Sequence, residues 1–327
     1  MKALQITKYG ELKESLEFAD VEKPSISDSE ILIEVKAAAL NPIDYKIVQG
    51  HLKEVLQLDL PSKIGYDVSG EIVEVGSKVK DFKVGDAVYS RVPQEYMGTV
   101  AEFVAVESNV VAHKPENVTF EKASSIPLTG LTAIQALEKV GLKKDDRILI
   151  HAGSGGVGSF AVQYAKAKGA IVYTTTSSTN LDWVKALGAD RVIDYKNEDY
   201  KEVAQNLDIV FDTLGEDYTF EAFDIIKEGG RVTTIVGPPD ADSAKQMGIK
   251  NYEMPEKLVK LIKEKSATYK HTWMQPNAKQ LDEIKEMVEE RTIRPSIDLV
   301  YSYEDAVKAF EYLATGRAQG KVIITME

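Results

Sequence analysis

Hydrophobic and polar positions fall into two rhythms along the chain. Up to Phe120, short runs rich in Val and Ile alternate with polar turns, at Lys2–Ile6, Glu30–Ala37, Glu71–Val75 and Val100–Val106. β-Branched side chains crowd a helix but fit a pleated surface, so these runs predict strands. Gly65, Gly70, Gly76 and Gly85 punctuate the stretch. Short strands with frequent glycine turns predict a compact, barrel-like β domain.

Beyond Phe120 the period lengthens. Asp146–His151 reads as a strand, a glycine cluster follows, and Val157–Lys168 reads as a helix. Within it Val157, Phe160, Ala161, Tyr164 and Ala165 recur at the three- and four-residue spacing of a single helix face, and Gly169 stands at the C-terminal cap. The alternation continues through strand Ala170–Thr176, helix Leu181–Leu187, strand Arg191–Asp194 and helix Glu198–Gln205. Strand Asp208–Asp212, helix Tyr218–Lys227 with Gly229 as its cap, and strand Arg231–Val236 extend it. Strict alternation predicts βαβ units on a parallel sheet. Helix Tyr252–Lys265, strand Ala267–Met274, helix Ala278–Glu290, helix Tyr303–Thr315 and strand Lys321–Thr325 complete the pattern. No internal repeat or low-complexity linker separates the two rhythms, which predicts domains that pack tightly.

Composition narrows the classes of partner. The 327 residues suffice for about two domains. Lys and Arg number 40 against 52 Asp and Glu, a formal net charge of −12. A duplex or an anionic membrane calls for a cationic surface, so neither nucleic acid nor membrane is the expected partner, while a local basic pocket for one phosphate stays open. The chain has no cysteine. That removes disulfides, thiol nucleophiles, iron–sulfur clusters and thiolate zinc sites together. No uncharged apolar run approaches the roughly 18 residues of a membrane helix, and Met1 leads into a strand without a signal-peptide pattern. The expectation is a soluble, cytoplasmic protein.

The strongest local chemistry lies in Ile148-Leu149-Ile150-His151-Ala152-Gly153-Ser154-Gly155-Gly156-Val157-Gly158. Gly153, Gly155 and Gly158 match G-x-G-x-x-G in the context the motif needs, after a strand and opening a helix. The first glycine permits the tight turn, the second lets the backbone approach a pyrophosphate, and the third brings helix against strand. The diphosphate then rests on the helix N-terminus, where free N–H groups and the dipole favour negative charge. An ordinary strand–turn–helix that merely tolerates glycine is the alternative, and the repeated alternation that follows argues against it.

The second strand of the alternation bears on which dinucleotide is bound. An NAD site usually places Asp or Glu roughly 20 residues past the loop. Here stand Thr174-Thr175-Thr176-Ser177-Ser178-Thr179-Asn180, with no carboxylate before Asp182. The expected cofactor is therefore NADPH (NADP), with Thr176, Ser177, Ser178 and Asn180 as partners of the 2′-phosphate. A solvated polar loop without selectivity is the other reading, since the segment holds no Arg or Lys.

Several motifs together resemble one family. They are Asn41-Pro42-Ile43-Asp44-Tyr45-Lys46, the run from Gly65-Tyr66-Asp67-Val68-Ser69-Gly70 to Gly76, and Val84-Gly85-Asp86-Ala87-Val88. Ser125-Ile126-Pro127-Leu128-Thr129-Gly130-Leu131-Thr132-Ala133, the glycine loop and Ala314-Thr315-Gly316-Arg317-Ala318-Gln319-Gly320-Lys321 continue the match. From first strand to last the chain resembles the medium-chain dehydrogenase/reductase superfamily, and within it the zinc-free quinone oxidoreductase branch with its alkenal and enone reductases. The resemblance implies an α/β protein with a GroES-like β-barrel catalytic domain over residues 1–121, completed by 291–327. A Rossmann doubly wound parallel-sheet domain would occupy 122–290, and the cofactor would lie in the cleft between the two. Family members are commonly dimers or tetramers, so a homodimer joined through the edge strand Ala267–Met274 is expected.

Zinc is not expected. Zinc-dependent relatives carry a His-Glu pair where this chain has Tyr66-Asp67, and a four-cysteine lobe where it has Ser90–Met97. His51, His113, His151 and His271 are not paired with each other or with a carboxylate at zinc-site spacings, and read as loop, strand or near-interface residues.

The resemblance also implies a reaction: hydride transfer from NADPH to a quinone or to the C=C of an α,β-unsaturated ketone or aldehyde. In the family the loop after Asn-Pro lines the active site, which points to Asn41, Tyr45 and Lys46 as donors to substrate, with Lys46 also able to touch the cofactor. Thr129 falls in the segment that approaches the nicotinamide. Tyr195 would contact the adenosine end. Leu214, Gly215, Val236 and Gly237 would line the crevice at strand ends. Arg317 and Lys321 would return towards the cofactor with the last helix and strand. Tyr45 as a core aromatic, and Lys46, Arg317 and Lys321 as surface charges, remain alternative readings, and Asp67 reads as a structural carboxylate rather than a base. An enoyl-thioester reductase of the same fold, and an NADPH-binding redox sensor or structural protein without turnover, also stay open.

Overall fold

The computed structural model describes residues 1–326. Eight strands come first: β1 (Lys2–Ile6), β2 (Leu16–Asp20), β3 (Glu30–Leu40), β4 (Ser62–Lys63), β5 (Asp67–Val75), β6 (Ala87–Arg91), β7 (Phe103–Glu107) and β8 (Val111–His113). Six follow: β9 (Arg147–Ile150), β10 (Ile171–Thr176), β11 (Arg191–Asp194), β12 (Leu207–Asp212), β13 (Ile226–Thr234) and β14 (Thr268–His271). Two close the chain, β15 (Ile297–Ser302) and β16 (Lys321–Thr325). Two compact units result, one made of Met1–Leu131 with the chain from Gln275 onward, the other of Thr132–Met274.

In the first unit β2-β1-β4 form a small antiparallel sheet, and a larger one runs β15-β16-β3-β5-β6-β8 with β7 also paired to β3. The end of the chain thus rejoins its beginning, with Val322 opposite Leu40 and Thr325 opposite Ala37. The last four residues of β3, Ala37–Leu40, are all buried. Their small side chains leave room for Phe120 and Ile323 to pack against Ala37 and Ala39.

In the second unit the order is β11-β10-β9-β12-β13-β14, and every neighbouring pair is parallel. Counted in order of synthesis this is 3-2-1-4-5-6, the doubly wound dinucleotide arrangement, with its switch point between β9 and β12. Ile148, Leu149, Ile150, Val172, Ile209, Val210 and Phe211 are fully buried. Such continuous apolar strands are what a parallel sheet covered on both faces requires.

The boundaries read from sequence, 121/122 and 290/291, differ from those of the two units. The helix Ala278–Glu289 goes with the first unit because Leu281 O accepts the buried Tyr89 hydroxyl at 2.6 Å. The helix expected over Tyr218–Lys227 spans Asp217–Ile225 instead, and β13 begins at once, because Ile226 pairs with Leu207 and is buried. Two further helices carry no sequence period. Pro42–Val48 is too short for one, and Pro127–Lys139 buries Leu131, Ala133, Ile134, Ala136 and Leu137 on several faces. No described helix is long and apolar enough to cross a membrane.

Candidate functional site

β9 ends at Ile150, and five residues turn the chain into the helix Gly156–Ala167. β10 pins that turn. Gly153 N donates to Thr175 O at 2.9 Å, Ala152 N to Thr175 Oγ1 at 3.1 Å, and Thr174 Oγ1 to Ile150 O at 2.7 Å. Ala152 is held at φ 52°, a left-handed conformation that costs energy without glycine and marks a tightly determined loop. A methyl group on Gly153 would overlap Thr174 Oγ1, and one on Gly158 would overlap Ala152 O. A methyl on Gly155 would meet only Ala152 O, at an ordinary 3.4 Å. The fold therefore requires the first and third glycines but not the second, and the backbone at Gly155 stays open to an approaching group.

Gly155 caps the helix without a side chain, and the first-turn amides of a helix have no intrahelical acceptor. Ser154–Val157 are half-buried. The open backbone, amide donors and dipole suit the diphosphate of a dinucleotide. Beneath the loop His151 is fully buried, its ring edge-on to Tyr200 (4.9 Å) and Tyr218 (5.2 Å). Burial pushes its pKa down to about 4, against the pull of Asp212 and Glu221, so it is neutral at pH 7 and serves as packing.

Parallel register brings further residues to the same sheet edge. Thr176 at the end of β10 pairs with Asp194 at the end of β11. Ser178 Oγ donates to Asp194 Oδ2 at 2.5 Å, and Asn197 Nδ2 donates to the same oxygen at 2.7 Å. The Ser178 hydroxyl holds the Asp194 carboxyl below its usual range. The Thr174–Asn180 segment itself holds no carboxylate, as its sequence reads, but the register sets the Asp194 carboxylate beside it. Lys196 follows on the same turn, its backbone N–H donating to Asp194 Oδ1 at 3.1 Å and its side chain exposed. Ser177 Oγ accepts from Asn180 Nδ2 at 3.3 Å, the Thr176 hydroxyl is buried without a partner, and Tyr195 is exposed. Leu214, Gly215, Val236 and Gly237 follow β12 and β13 at this edge, with Leu214 and Val236 exposed.

In the first unit the motif residues converge on a buried ionic cluster. Asn41 starts the helix Pro42–Val48, its N–H bonded to Asp44 Oδ2 at 2.6 Å and its Nδ2 to Asp67 Oδ2 at 2.9 Å and to Ala39 O at 3.3 Å. Lys321 Nζ donates to Leu40 O at 2.8 Å, to Asn41 Oδ1 and to Asp67 Oδ2 at 3.3 Å. Asp67 Oδ1 accepts the N–H of Leu128 at 2.8 Å. The Arg91 guanidinium lies 4.4 Å over the Tyr66 ring and acts on both carboxylates. Burial pushes Asp44 up to about 7, opposed by the Asn41 amide and Lys321. It likewise raises Asp67 and lowers Lys321, each resisted by the other's charge.

These bonds bear on two of the expected site residues. All three ammonium hydrogens of Lys321, and both amide hydrogens of Asn41, are engaged inside the unit, so neither side chain has a donor left for a ligand. Tyr45 Oη and Lys46 Nζ have no partner among the described residues, and both side chains are half-buried on the helix that Asn41 and Asp44 start. The Thr129 hydroxyl donates to Ser125 O and Ile126 O and is buried, while Arg317 is exposed.

Zinc needs several thiolate, imidazole or carboxylate ligands around one point. Among the described residues no three His, Cys, Asp or Glu side chains are grouped to hold a metal ion. Asp67, where zinc-dependent relatives have a ligand pair, is already held by Lys321, Asn41 and the Leu128 amide. The residues present do not fit a zinc ion.

Comparison with known proteins agrees with this architecture. Residues 27–116 match the family described as alcohol dehydrogenase GroES-like domain, and residues 187–324 the one described as zinc-binding dehydrogenase. The chain is 36% identical to the 2-methylene-furan-3-one reductase of Solanum lycopersicum, over 99% of this chain and 79% of that protein. It is 34% identical to the chloroplastic NADPH-dependent alkenal/one oxidoreductase of Arabidopsis thaliana, again over 99% and 79%. The structure of the quinone oxidoreductase from Coxiella burnetii superposes with a TM-score of 0.88 at 34% identity, covering 100% of this chain and 99% of that one. The chain is an oxidoreductase that belongs to the medium-chain dehydrogenase/reductase superfamily, in its quinone and alkenal oxidoreductase branch.

Proposed function

We propose that the chain is a zinc-independent, NADPH-dependent reductase of quinones or of the C=C bond of α,β-unsaturated ketones and aldehydes. The observation that carries this reading is Gly155, a glycine whose missing side chain no neighbouring atom requires. A backbone kept bare at the start of a helix, beside open amides, is what a pyrophosphate needs. Lys196 and Tyr195 beside the Thr176–Asn180 turn support the phosphorylated form of the cofactor. So does the likeness to a relative named as NADPH-dependent.

When bound, the reduced nicotinamide supplies the hydride. In an enone the hydride goes to the β-carbon, negative charge gathers on the carbonyl oxygen, and a proton completes the α-carbon. A group placed to meet that oxygen lowers the barrier by stabilising charge as it forms. Tyr45 and Lys46 are the proposed donors, because their polar ends are free while those of Asn41 and Lys321 are not. Conjugation spreads the developing charge, so this reduction needs no Lewis acid. β14, an edge strand with open backbone groups, supports a homodimer formed by sheet extension.

The test is loss of reduced-nicotinamide absorbance with a panel of enones, alkenals and quinones. Acceptor-dependent consumption of NADPH by the metal-stripped protein supports the proposal. Tight NADPH binding with no consumption for any acceptor contradicts it.

A further inference from the structure

We propose that Asp212 is a positioning residue that builds two turns of the second unit at once, the one after β12 and the one after β13. The inference deepens the dinucleotide reading and rests on it. Asp212 is fully buried at the end of β12. Its Oδ1 accepts the amides of Leu214 at 2.9 Å and Gly215 at 2.8 Å. Its Oδ2 accepts the hydroxyls of Thr219 at 2.6 Å and Thr234 at 3.0 Å.

Thr234 lies opposite Asp212 across β12 and β13. Its Oγ1 accepts the amides of Val236 at 3.2 Å and Gly237 at 2.9 Å. One carboxylate therefore fixes Leu214–Gly215 directly and Val236–Gly237 through a single hydroxyl. A hydroxyl has one hydrogen and two acceptor positions, so Thr234 is saturated in this arrangement. It can accept both turn amides only by giving its hydrogen to Asp212. The neighbouring Thr213 ties the same strand end to the foot of the glycine loop, its Oγ1 donating to His151 O at 2.9 Å. Both turns hold an apolar side chain outward, Leu214 and Val236, each 42% exposed. These offer a flank for a flat ring whose phosphates rest on the Gly156 helix.

Asp212→Asn tests the carboxylate. An amide keeps the shape but sets an N–H against a hydroxyl whose acceptor positions are taken, and it weakens the charge-assisted bonds. Thr234→Val removes only the relay. Amide hydrogen exchange is measured on the free proteins, and NADPH dissociation constants by fluorescence titration. Asp212→Asn is expected to speed exchange at Leu214, Gly215, Val236 and Gly237 by about tenfold, and to weaken NADPH binding by a similar factor. Thr234→Val should speed only Val236 and Gly237. Amides of β9 and β10 serve as the control, since general loosening would move them too. Wild-type protection at Val236 and Gly237 in either variant, or wild-type NADPH affinity in Asp212→Asn, overturns the proposal. A wild-type protein that does not bind NADPH overturns instead the dinucleotide reading on which it rests.

Discussion

Lys321 Nζ lies 3.3 Å from Asp67 Oδ2, an ion pair sealed in the first unit with side-chain exposures of 5% and 0%. Through this pair the last strand holds the start of the Pro42–Val48 helix, by way of Asn41, and the start of the Pro127–Lys139 helix, by way of the Leu128 amide. Breaking one partner of such a pair leaves an uncompensated buried charge. Lys321→Met is expected to lower stability by about 3–5 kcal/mol in denaturant unfolding, with partial recovery in the double variant Lys321→Met/Asp67→Asn. An unchanged unfolding midpoint for the single variant would show that the pair does not hold these elements.

The glycine loop makes a contrast between two like substitutions. Gly153→Ala sets a methyl group into the Thr174 hydroxyl and should destabilise the second unit. Gly155→Ala meets only an ordinary contact, so stability should stay within about 0.5 kcal/mol of wild type. NADPH affinity should nevertheless fall by about tenfold or more as the pyrophosphate loses its amide bonds. Thermal unfolding and fluorescence titration, run on both variants, separate the two effects.

Asp194 sets an anion beside the turn that would receive a 2′-phosphate. Replacing it with Asn removes the charge and weakens the hold on the Ser178 hydroxyl. The preference for NADPH over NADH, read as a ratio of dissociation constants, is expected to rise about threefold. A ratio that stays the same or falls would place the phosphate elsewhere.

Asp44 carries a pH dependence with a definite sign. Its folded pKa is raised to about 7, well above the value of an exposed aspartate, chiefly by burial. Between those two values the folded state binds more protons than the unfolded state, so this group's contribution is present at low pH and lost as pH rises towards about 7. Asp44→Asn removes that loss. Unfolding free energies compared at about pH 5 and about pH 8 should show the variant gaining on wild type at the higher pH. A constant difference would mean that Asp44 stays charged throughout.

The second unit was largely legible because its signal repeats. Each strand and helix confirmed the period of the last, and the glycine loop fell where a strand met a helix. Residues that meet through register or long-range closure were not. Asp194 follows Thr176 by 18 positions, yet parallel pairing sets them side by side. Lys321 reaches Leu40 across 281 positions, and its motif position gave no sign that its ammonium is buried. Asp212 reads as one more strand-end residue until Thr234 is seen to pass its hold to the next turn. The Pro127–Lys139 helix was hidden for another reason: burial on several sides removes the polar stripe by which a helix is recognised.

The most direct measurement is amide hydrogen exchange over Ser154–Gly158 with and without saturating NADPH. If the start of the Gly156 helix grips the dinucleotide's diphosphate, these amides should slow by about tenfold or more on binding. Unchanged exchange there in a protein shown to be saturated with NADPH would contradict the account.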